Sequence, residues 1–596
     1  MPVSQDFPVQ RRDIPSYADV AIALGFFKAG RIGPPKLSAP MLAGRARRIL
    51  QATVALCLLT WFLGTAVPSF AAPANDSLQL AATPPMGWND WAHYQCNFDS
   101  KTILANANAL VKSGLSKRGY NTVTIDDCWM QKDRDSEGNL QVDPQRFPHG
   151  MKPVADAVHA LGLHFGIYED AGYETCGGFA GSGEPNGGGK DHFLQDTKLF
   201  ESWGVDYLKL DGCNLYVAKG STKLATYRKA YAAQSRALKS VSRPIVFSES
   251  APAYFQGTPN WYAVLQWVRH YGQLWREGTD IEVYDPKKPD ASRFDSMQWN
   301  YAYNLPLGRF QRPGNWNDAD FIIGGDSGVS MAETRSQMAL WSMMSAPLIL
   351  SSDLEKVSPE AVRVLGNRKV IAIDQDPLGR MATLVRRNRS IDVLIKTLQG
   401  GDYAIAVFNR GDASAGAEVH PVEVGFKEGA DCHFDATDLW TGAEQKSVST
   451  LQANVAAHDT AIWRIHPAAA CGVAKRTGAV IIVAAGKRDH MEHYTRCMAA
   501  PGTVGPCTSA PGELWTVGSN GTLRSQGKCL ALVKGKPQMQ TCSADGSEHW
   551  KYTLAGNLIG TSHQCLTATG PKDGVSTLAV QPCGDNRPDQ IWSLPN

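Results

Sequence analysis

The residues that could do chemistry lie in one short stretch, Tyr207-Leu208-Lys209-Leu210-Asp211-Gly212-Cys213. Apolar and amphipathic residues alternate up to Leu210, which is the pattern of a buried strand. Lys209 is costly to bury there unless a carboxylate partners it. Asp211 ends the strand on the same face as Lys209, and Gly212 allows a sharp turn directly after it. This arrangement favours an ionised carboxylate nucleophile; the alternative is an aspartate that only caps a loop.

A second candidate carboxylate lies in the run Trp275-Arg276-Glu277-Gly278-Thr279-Asp280. Asp280 could serve as an acid/base group, and Arg276, four residues earlier, could orient it. With Asp211, it would supply the two carboxylates that flank the scissile bond in glycoside hydrolysis. The alternative for Arg276 and Asp280 is a surface ion pair between residues i and i+4.

Eight strands that end in polar or acidic residues must position these groups. They recur roughly every 30 to 45 residues, with helical stretches such as 225–239 and 333–345 between them, which is the period of a β/α unit. The strand ends lie at 86–91, 122–127, 165–170, 207–213, 245–250, 274–280, 315–318 and 347–353. Eight such units predict a (β/α)8 TIM barrel over residues 83–376, with its active site at the carboxyl ends of the strands. A doubly wound sheet is the alternative, but no G-x-G-x-x-G follows the first strand.

Two further domains are predicted after the barrel. Residues 377–466 contain alternating segments at 391–398 and 403–409 around a Gly-Gly hairpin signal, which predicts a small antiparallel β-sandwich. Residues 471–596 repeat three times a pair of cysteines followed by Gln/Glu-x-Trp, which predicts a β-trefoil. One disulfide is expected in each lobe, namely Cys497–Cys507, Cys529–Cys542 and Cys565–Cys583.

The composition narrows the range of partners. A net charge of +2 over 596 residues argues against nucleic acid or an anionic membrane surface as the main partner. Apolar content of 43% with 19% charged residues is ordinary for a soluble globular protein. The run Asp-His-Met-Glu-His at 489–493 lacks the spacing of a zinc site and is interpreted as a solvated loop. No cofactor is expected.

Residues 1–72 predict an export signal. An arginine-rich segment at 45–48 precedes an apolar run at 49–67, and a small-x-small cleavage site follows at 69–72. The alternative is an uncleaved membrane anchor. A signal peptide that starts at Met41 would be more typical than one that starts at Met1. One of the 13 cysteines lies in this signal, and an even number in the remaining, exported chain (extracellular or periplasmic) indicates disulfides.

Residues 83–465 resemble glycoside hydrolase family 27, the family of α-galactosidases and α-N-acetylgalactosaminidases. The resemblance rests on short sequence motifs of the family that occur in the same order along this chain. They are Met86-Gly87-Trp88 with Trp91, Ile125-Asp126-Asp127-Cys128-Trp129, Arg134-Asp135-Ser136-Glu137-Gly138, Asp143-Pro144-Gln145-Arg146-Phe147-Pro148-His149-Gly150, Gly166-Ile167-Tyr168, Lys209-Leu210-Asp211-Gly212-Cys213, Trp316-Asn317-Asp318 and Asp374-Gln375-Asp376-Pro377-Leu378-Gly379. The C-terminal lobes resemble ricin-type β-trefoils, which bind galactose or xylan chains.

The family resemblance implies a secreted, retaining exo-glycosidase that releases terminal α-D-galactosyl residues. Asp211 would be the nucleophile and Asp280 the acid/base, with their carboxyl groups about 5 Å apart. The substrate would be an α-galactoside oligosaccharide, polysaccharide or glycoconjugate. Whether the protein forms a homodimer is left open.

The same resemblance implies the sugar-binding residues. Asp126 and Asp127 would accept hydrogen bonds from the 4- and 6-hydroxyls, and Lys209 would donate toward the 3- and 4-hydroxyls. A divalent-metal site is the alternative for the two aspartates. The other implied features are an apolar wall at Trp91, a pocket lining of Tyr168 and Arg276, and the disulfides Cys96–Cys128 and Cys176–Cys213.

The chain departs from the family at two places in the barrel. After Asp280 the family usually continues with an acid and Ser-Trp, whereas here Glu282-Val283-Tyr284-Asp285 follows in a longer loop. At the 2-position of the sugar, Ser250 and Ala253 stand where α-N-acetylgalactosaminidases also carry Ser and Ala. A shift of one residue would place Glu249 there and exclude a 2-acetamido group, so both registers stay open.

These departures define the alternative functions. α-Galactosidase is the default and α-N-acetylgalactosaminidase the main alternative; β-L-arabinopyranosidase and a non-catalytic carbohydrate-binding protein are more remote. In the trefoil, Ala499, Ala531 and Thr567 replace the aspartate that usually hydrogen-bonds the sugar. Carbohydrate binding by the trefoil is therefore left open beside a structural role.

Overall fold

The computed structural model describes residues 80–596, except 186–188, 430, 483–495, 544, 571–573 and 585. The predicted export signal and the acidic, histidine-containing run at 489–493 lie outside the described residues. Within the described part of the chain, no helix is both long and apolar enough to cross a membrane.

The barrel predicted from the sequence is present. Its strands are β1 (Met86–Asn89), β2 (Thr122–Ile125), β3 (His164–Asp170), β4 (Tyr207–Asp211), β5 (Val246–Glu249), β6 (Leu274–Arg276), β7 (Trp316–Asp318) and β8 (Leu348–Leu350). All neighbouring pairs are parallel, and β8 pairs with β1. A parallel bridge between Ile322, just after β7, and Leu350 closes the ring.

Helices surround the strands. They are α1 (Trp91–Tyr94), α2 (Ser100–Lys112), α3 (Lys152–Ala160), α4 (Phe193–Trp203), α5 (Lys223–Leu238), α6 (Trp261–Val268), α7 (Phe294–Asn304), α8 (Met331–Met344), α9 (Pro359–Leu365) and α10 (Arg368–Asp374). The two helices that we predict at 225–239 and 333–345 correspond to α5 and α8. A capping box formed by Ser330 and Glu333 begins α8. Residues on every side of α8 are buried because it lies between the barrel and the next domain.

The second domain is an antiparallel sandwich, as predicted. Its strands are β9 (Thr383–Arg387), β10 (Ile391–Thr397), β11 (Tyr403–Asn409), β12 (Ala415–Val419), β13 (Phe434–Asp438), β14 (Glu444–Val448), β15 (Leu451–Val455) and β16 (Thr460–Pro467). Six strands form one sheet, and β12 pairs with β15 in the other. Lys396 of β10 reaches the barrel, where its ammonium donates to Ser342 O at 2.7 Å, Ile373 O at 2.7 Å and Ser345 Oγ at 2.6 Å.

The C-terminal part is built of short strands. They are β17 (Arg476–Ala479), β18 (Ile481–Ile482), β19 (Arg496–Ala499), β20 (Thr503–Pro506), β21 (Leu514–Val517), β22 (Leu523–Ser525), β23 (Lys528–Val533), β24 (Lys536–Thr541), β25 (Lys551–Tyr552), β26 (Leu558–Ile559), β27 (Cys565–Thr569), β28 (Ser576–Gln581) and β29 (Trp592–Ser593). A threefold pattern is visible in the hydrogen bonds. The indole N–H groups of Trp515, Trp550 and Trp592 donate to the carbonyls of Met498, Leu530 and Leu566, each directly after the first cysteine of its lobe.

Six disulfides join all twelve cysteines of the described residues: Cys96–Cys128, Cys176–Cys213, Cys432–Cys471, Cys497–Cys507, Cys529–Cys542 and Cys565–Cys583. Five of these are the pairs expected above. The sixth, Cys432–Cys471, links the sandwich to the segment that leads into the trefoil, and no sequence motif pointed to it.

Candidate active site

Lys209 lies at the centre of the barrel mouth, between two carboxylates. Its Nζ donates to Asp126 Oδ2 at 2.7 Å and lies 3.9 Å from Asp211 Oδ2. Tyr168, its neighbour in the β3–β4 register, places its ring centroid 5.1 Å from the same nitrogen. Burial lowers the pKa of Lys209, but Asp126 and Asp211 raise it more, so that the pKa lies above its usual range. The ammonium therefore stays charged.

Asp211 ends β4 and points to the inner face, because it is two residues beyond Lys209. Burial raises the pKa of the Asp211 carboxyl, and the Lys209 charge counteracts this rise. The hydroxyl of Ser250 also lowers this pKa, while the Asp280 charge raises it. Asp280 is therefore close enough to interact electrostatically with the candidate nucleophile.

The loop that follows Asp211 is fixed by Asp170 of β3. Asp170 is fully buried, and its carboxylate accepts hydrogen bonds from the amides of Gly172 at 2.6 Å and Cys213 at 3.0 Å. Cys213 is also bonded to Cys176, which follows β3. The backbone after the candidate nucleophile is thus held by a carboxylate and a disulfide.

Asp126 and Asp127 follow β2 and are almost completely buried. Asp126 Oδ2 accepts from Asn89 Nδ2 at 2.7 Å in addition to Lys209. Asp127 Oδ2 accepts from the Gly177 amide at 2.8 Å, and burial raises the pKa of the Asp127 carboxyl. Charged acceptors fixed in this way suit neutral hydroxyl donors of a ligand.

The candidate acid/base lies beyond β6, on a segment without helix or strand. Arg276 Nη2 donates to Asp280 Oδ1 at 2.8 Å, and the Asp280 side chain is 70% exposed. Arg276 itself is buried and contacts a second carboxylate, because its Nη1 lies 2.9 Å from Asp320 Oδ1. The pair therefore joins a buried guanidinium to a carboxylate that solvent reaches.

The longer loop after Asp280 is anchored to the first barrel unit. The Tyr284 amide donates to Ala92 O at 2.7 Å, and its ring stacks on His93 with centroids 4.6 Å apart. Trp91, at the start of α1, lies beside this contact and is partly buried. The loop that differs from the family sequence is therefore bound to α1, beside the mouth of the barrel.

The structure distinguishes the two registers at Glu249, Ser250 and Ala253. Glu249 pairs in register with Leu210 and so points out of the barrel, against Gly272, where an added Cβ would lie 2.5 Å from Glu249 Oε1. Ser250 is buried, whereas Ala253 lies in the short 3-10 turn that follows β5 and is partly exposed. The Glu249 side chain therefore lies on the outer face of the barrel.

Four polar residues of this region were not singled out from the sequence: Asn89, Asp90, Asp170 and Asp320. Asp90 is buried and accepts from the Asp126 amide at 2.8 Å. Asn89, Asp90 and Asp170 all lie in the predicted strand ends, which is the signal that could have identified them. Asp320 lies two residues beyond such an end.

A (β/α)8 barrel whose mouth carries two carboxylates, each beside a buried cation, is an arrangement that glycoside hydrolases use. Comparison with family models agrees over three consecutive parts of the chain. The matching descriptions are "Alpha galactosidase A" for residues 83–376, "Alpha galactosidase C-terminal beta sandwich domain" for 388–465 and "Ricin-type beta-trefoil lectin domain" for 489–592.

Individual relatives extend the match. Alpha-galactosidase A of Aspergillus niger is 36% identical over 573 residues, covering 94% of this chain and 98% of its own. Alpha-N-acetylgalactosaminidase of Gallus gallus is 38% identical over 378 residues, covering 61% of this chain and 87% of its own. The crystal structure of alpha-galactosidase I from Mortierella vinacea superposes with a TM-score of 0.56 at 28% identity, covering 65% of this chain and 97% of that one. The chain belongs to the α-galactosidase family, glycoside hydrolase family 27, and is a glycoside hydrolase.

Proposed function

We propose that the protein is a retaining exo-α-galactosidase that releases terminal α-D-galactosyl residues. The observation that carries this proposal is the buried contact of Lys209 with Asp126, with Asp211 beside it. The axial 4-hydroxyl distinguishes galactose from glucose, and buried charged partners discriminate strongly between such hydroxyls. Asp126 and Lys209 supply an acceptor and a donor for it, and Asp127 an acceptor for the 6-hydroxyl.

The mechanism uses the two carboxylates in two displacements. Asp211 attacks the anomeric carbon while Asp280 gives its proton to the departing glycosidic oxygen, so that a covalent β-galactosyl ester forms. Asp280, now ionised, then removes a proton from water, and the water oxygen displaces Asp211 from the anomeric carbon. Galactose leaves with the α configuration, and both carboxyls regain their first protonation state.

One variant tests the role of the nucleophile. Asp211→Ala should lower kcat for p-nitrophenyl α-D-galactoside by at least about 10⁴-fold. Added azide should restore turnover and yield the inverted β-galactosyl azide, since azide can occupy the space of the lost carboxylate. Full activity of Asp211→Ala would contradict the proposal, and NMR of the azide product checks the stereochemistry.

A second candidate function is α-N-acetylgalactosaminidase activity. It is favoured by the outward direction of Glu249, which leaves the small side chains of Ser250 and Ala253 as the candidates for the 2-position. Rates with p-nitrophenyl α-D-galactoside and its α-N-acetylgalactosaminide analogue should be measured side by side. A preference for the galactoside supports the first function, and a preference for the acetamido sugar supports the second. With Ala253→Leu, we expect at least a 10-fold greater loss on the acetamido sugar; Ala263→Leu on α6 is the control.

We also propose that the protein acts outside the cell. Six disulfides in the described residues support an oxidising compartment. N-terminal sequencing of protein from the culture medium should begin near residue 72. A mature chain that retains the apolar run at 49–67 would contradict cleavage.

A further inference from the structure

Asp320 contacts two points of the segment that carries Asp280. Its Oδ1 lies 2.9 Å from Nη1 of Arg276, and its Oδ2 accepts a hydrogen bond from the Ile281 amide at 2.6 Å. Arg276 lies four residues before Asp280, and Ile281 directly follows it. One side chain therefore holds this segment on both sides of the candidate acid/base.

Asp280 lies on a segment that has no regular secondary structure. Its side chain is 70% exposed, and neither helix nor strand occurs between Arg276 and Phe294. The Asp280 carboxyl accepts a 2.8 Å hydrogen bond from Arg276 Nη2. The two Nη atoms of one guanidinium thus meet two carboxylates, so the plane of Arg276 depends on Asp320.

Asp320 is itself held in a strained conformation. Its φ of 77° lies in the left-handed region, which is unfavourable for a residue other than glycine. Its amide donates to Asp318 Oδ1 at 2.9 Å, and its carbonyl accepts from the Trp341 indole at 2.8 Å. Strain of this kind persists where the surrounding structure fixes the residue, and it is concentrated at functional sites.

Asp320 interacts with this segment through its charge and through one hydrogen bond. Its Oδ1 faces the Arg276 guanidinium, and its Oδ2 accepts from the Ile281 amide. Burial raises the pKa of Asp320 to about 7, although the Arg276 charge opposes this rise. The other titratable groups that act on Arg276, Asp280 or Asp320 are Asp211, Glu277, Tyr303 and Asp318.

We infer that Asp320 is a positioning residue that sets the geometry of the general acid/base through Arg276 and Ile281. The inference rests on the proposed function, because it assigns Asp280 the proton transfers of both displacements. When Asp320 is changed, Asp280 moves away from the glycosidic oxygen and from the attacking water. Binding of the galactosyl group, which other strands provide, is kept.

The test is the dependence of the rate on the leaving group. A sugar alkoxide needs a proton to depart, whereas nitrophenolate departs without one. Asp320→Ala and Asp320→Asn should therefore lose about 10²-fold in kcat/KM for melibiose and less than about 10-fold for p-nitrophenyl α-D-galactoside. Azide should accelerate turnover of the nitrophenyl substrate by these variants, because azide attacks the galactosyl ester without a general base.

The matched control is Glu249→Gln. Glu249 is an equally buried carboxyl at the end of β5, but it lies on the outer face of the barrel. We expect unchanged rates on both substrates and no effect of azide. Thermal unfolding of each variant shows whether it is folded. Arg276→Lys, which keeps the charge but loses the planar pair of Nη atoms that joins Asp280 to Asp320, replaces the Asp320 variants if these do not fold.

The outcomes separate this inference from the proposed function. An equal loss on both substrates without an azide effect, in the Asp320 variants or in Arg276→Lys, overturns the positioning role while the function stands. A wild-type protein that hydrolyses neither substrate overturns the function and the positioning role together.

Discussion

Lys209 donates its short hydrogen bond to Asp126 and not to Asp211, from which its Nζ is 3.9 Å away. The ammonium therefore favours the ionised form of Asp211 through its charge, without a direct hydrogen bond between the two. A nucleophile that is ionised but not tightly paired keeps its reactivity toward the anomeric carbon. The short bond instead fixes Asp126, the proposed partner of the 4-hydroxyl.

Replacement of Lys209 should therefore affect the ionisation of the nucleophile. Burial already raises the pKa of Asp211, and Lys209→Met removes the charge that opposes this, so the pKa should rise further. Because Asp211 must be ionised to attack, the acid limb of the kcat/KM profile should move to higher pH, with a loss of about 10²- to 10³-fold at its maximum. Initial rates between pH 3 and pH 8 check this.

Lys229→Met is the control for that experiment, because Lys229 forms an exposed ion pair with Glu184. We expect its pH profile to equal that of the wild type. An unshifted acid limb in Lys209→Met would show that Lys209 does not act on the nucleophile.

Removal of the Cys176–Cys213 disulfide should reduce activity more than removal of a trefoil disulfide. Cys213 lies two residues after Asp211, so the double change to alanine frees the loop that orients the nucleophile. We expect at least a 10-fold fall in kcat, together with a loss of stability of about 2–4 kcal/mol. The variant in which Cys529 and Cys542 are both changed to alanine should be less stable than the wild type but keep its kcat. Equal kcat values for the two variants would argue against a role of the loop.

Lys396 should make stability depend on pH in the alkaline range. Burial lowers the pKa of Lys396 to about 8, below the value near 10.4 of an unfolded chain. Between these values the unfolded state binds more protons, so stability due to this group rises with pH from about 8 upward, by up to about 3 kcal/mol. Below pH 8 both states are protonated and the cost of burying the charge is constant.

Lys396→Met tests this dependence. The variant leaves three oxygens of the barrel without their donor and should be less stable by about 2–4 kcal/mol at pH 8. Its deficit relative to the wild type should grow between pH 8 and pH 10, measured by thermal unfolding. Lys446→Met, at an exposed residue, should follow the wild type. A deficit that is constant over this range would contradict a lowered pKa of Lys396.

The sequence was most informative where a local pattern determines direction. Alternation along β4 places Lys209 and Asp211 on one face, and this required no knowledge of distant residues. The cysteine spacing in the trefoil lobes is similarly local. The direction of the Glu249 side chain could not be predicted from the sequence, because a one-residue shift in register reverses the face of every side chain in a strand.

Contacts between remote segments could not be derived in this way. Asp320 meets Arg276 because β6 and β7 are neighbours, as the predicted barrel implies, and because its φ is positive, which has no sequence signal. Lys396 looks like an ordinary strand lysine, and its acceptors come from α8, α10 and the turn after α8. Such contacts depend on how elements pack, which a single sequence does not specify.

The pairing of β8 with β1 has a consequence for the order of folding. Met86 meets Leu348, so the barrel cannot close until both ends of this long segment are available. Until then β1 presents an unpaired edge, at which partly folded chains associate. Each trefoil lobe, in contrast, joins its tryptophan to a carbonyl only 17 to 26 residues away. Loop closure over so short a distance is fast, so slow refolding and dependence on chaperones are expected of the barrel more than of the trefoil.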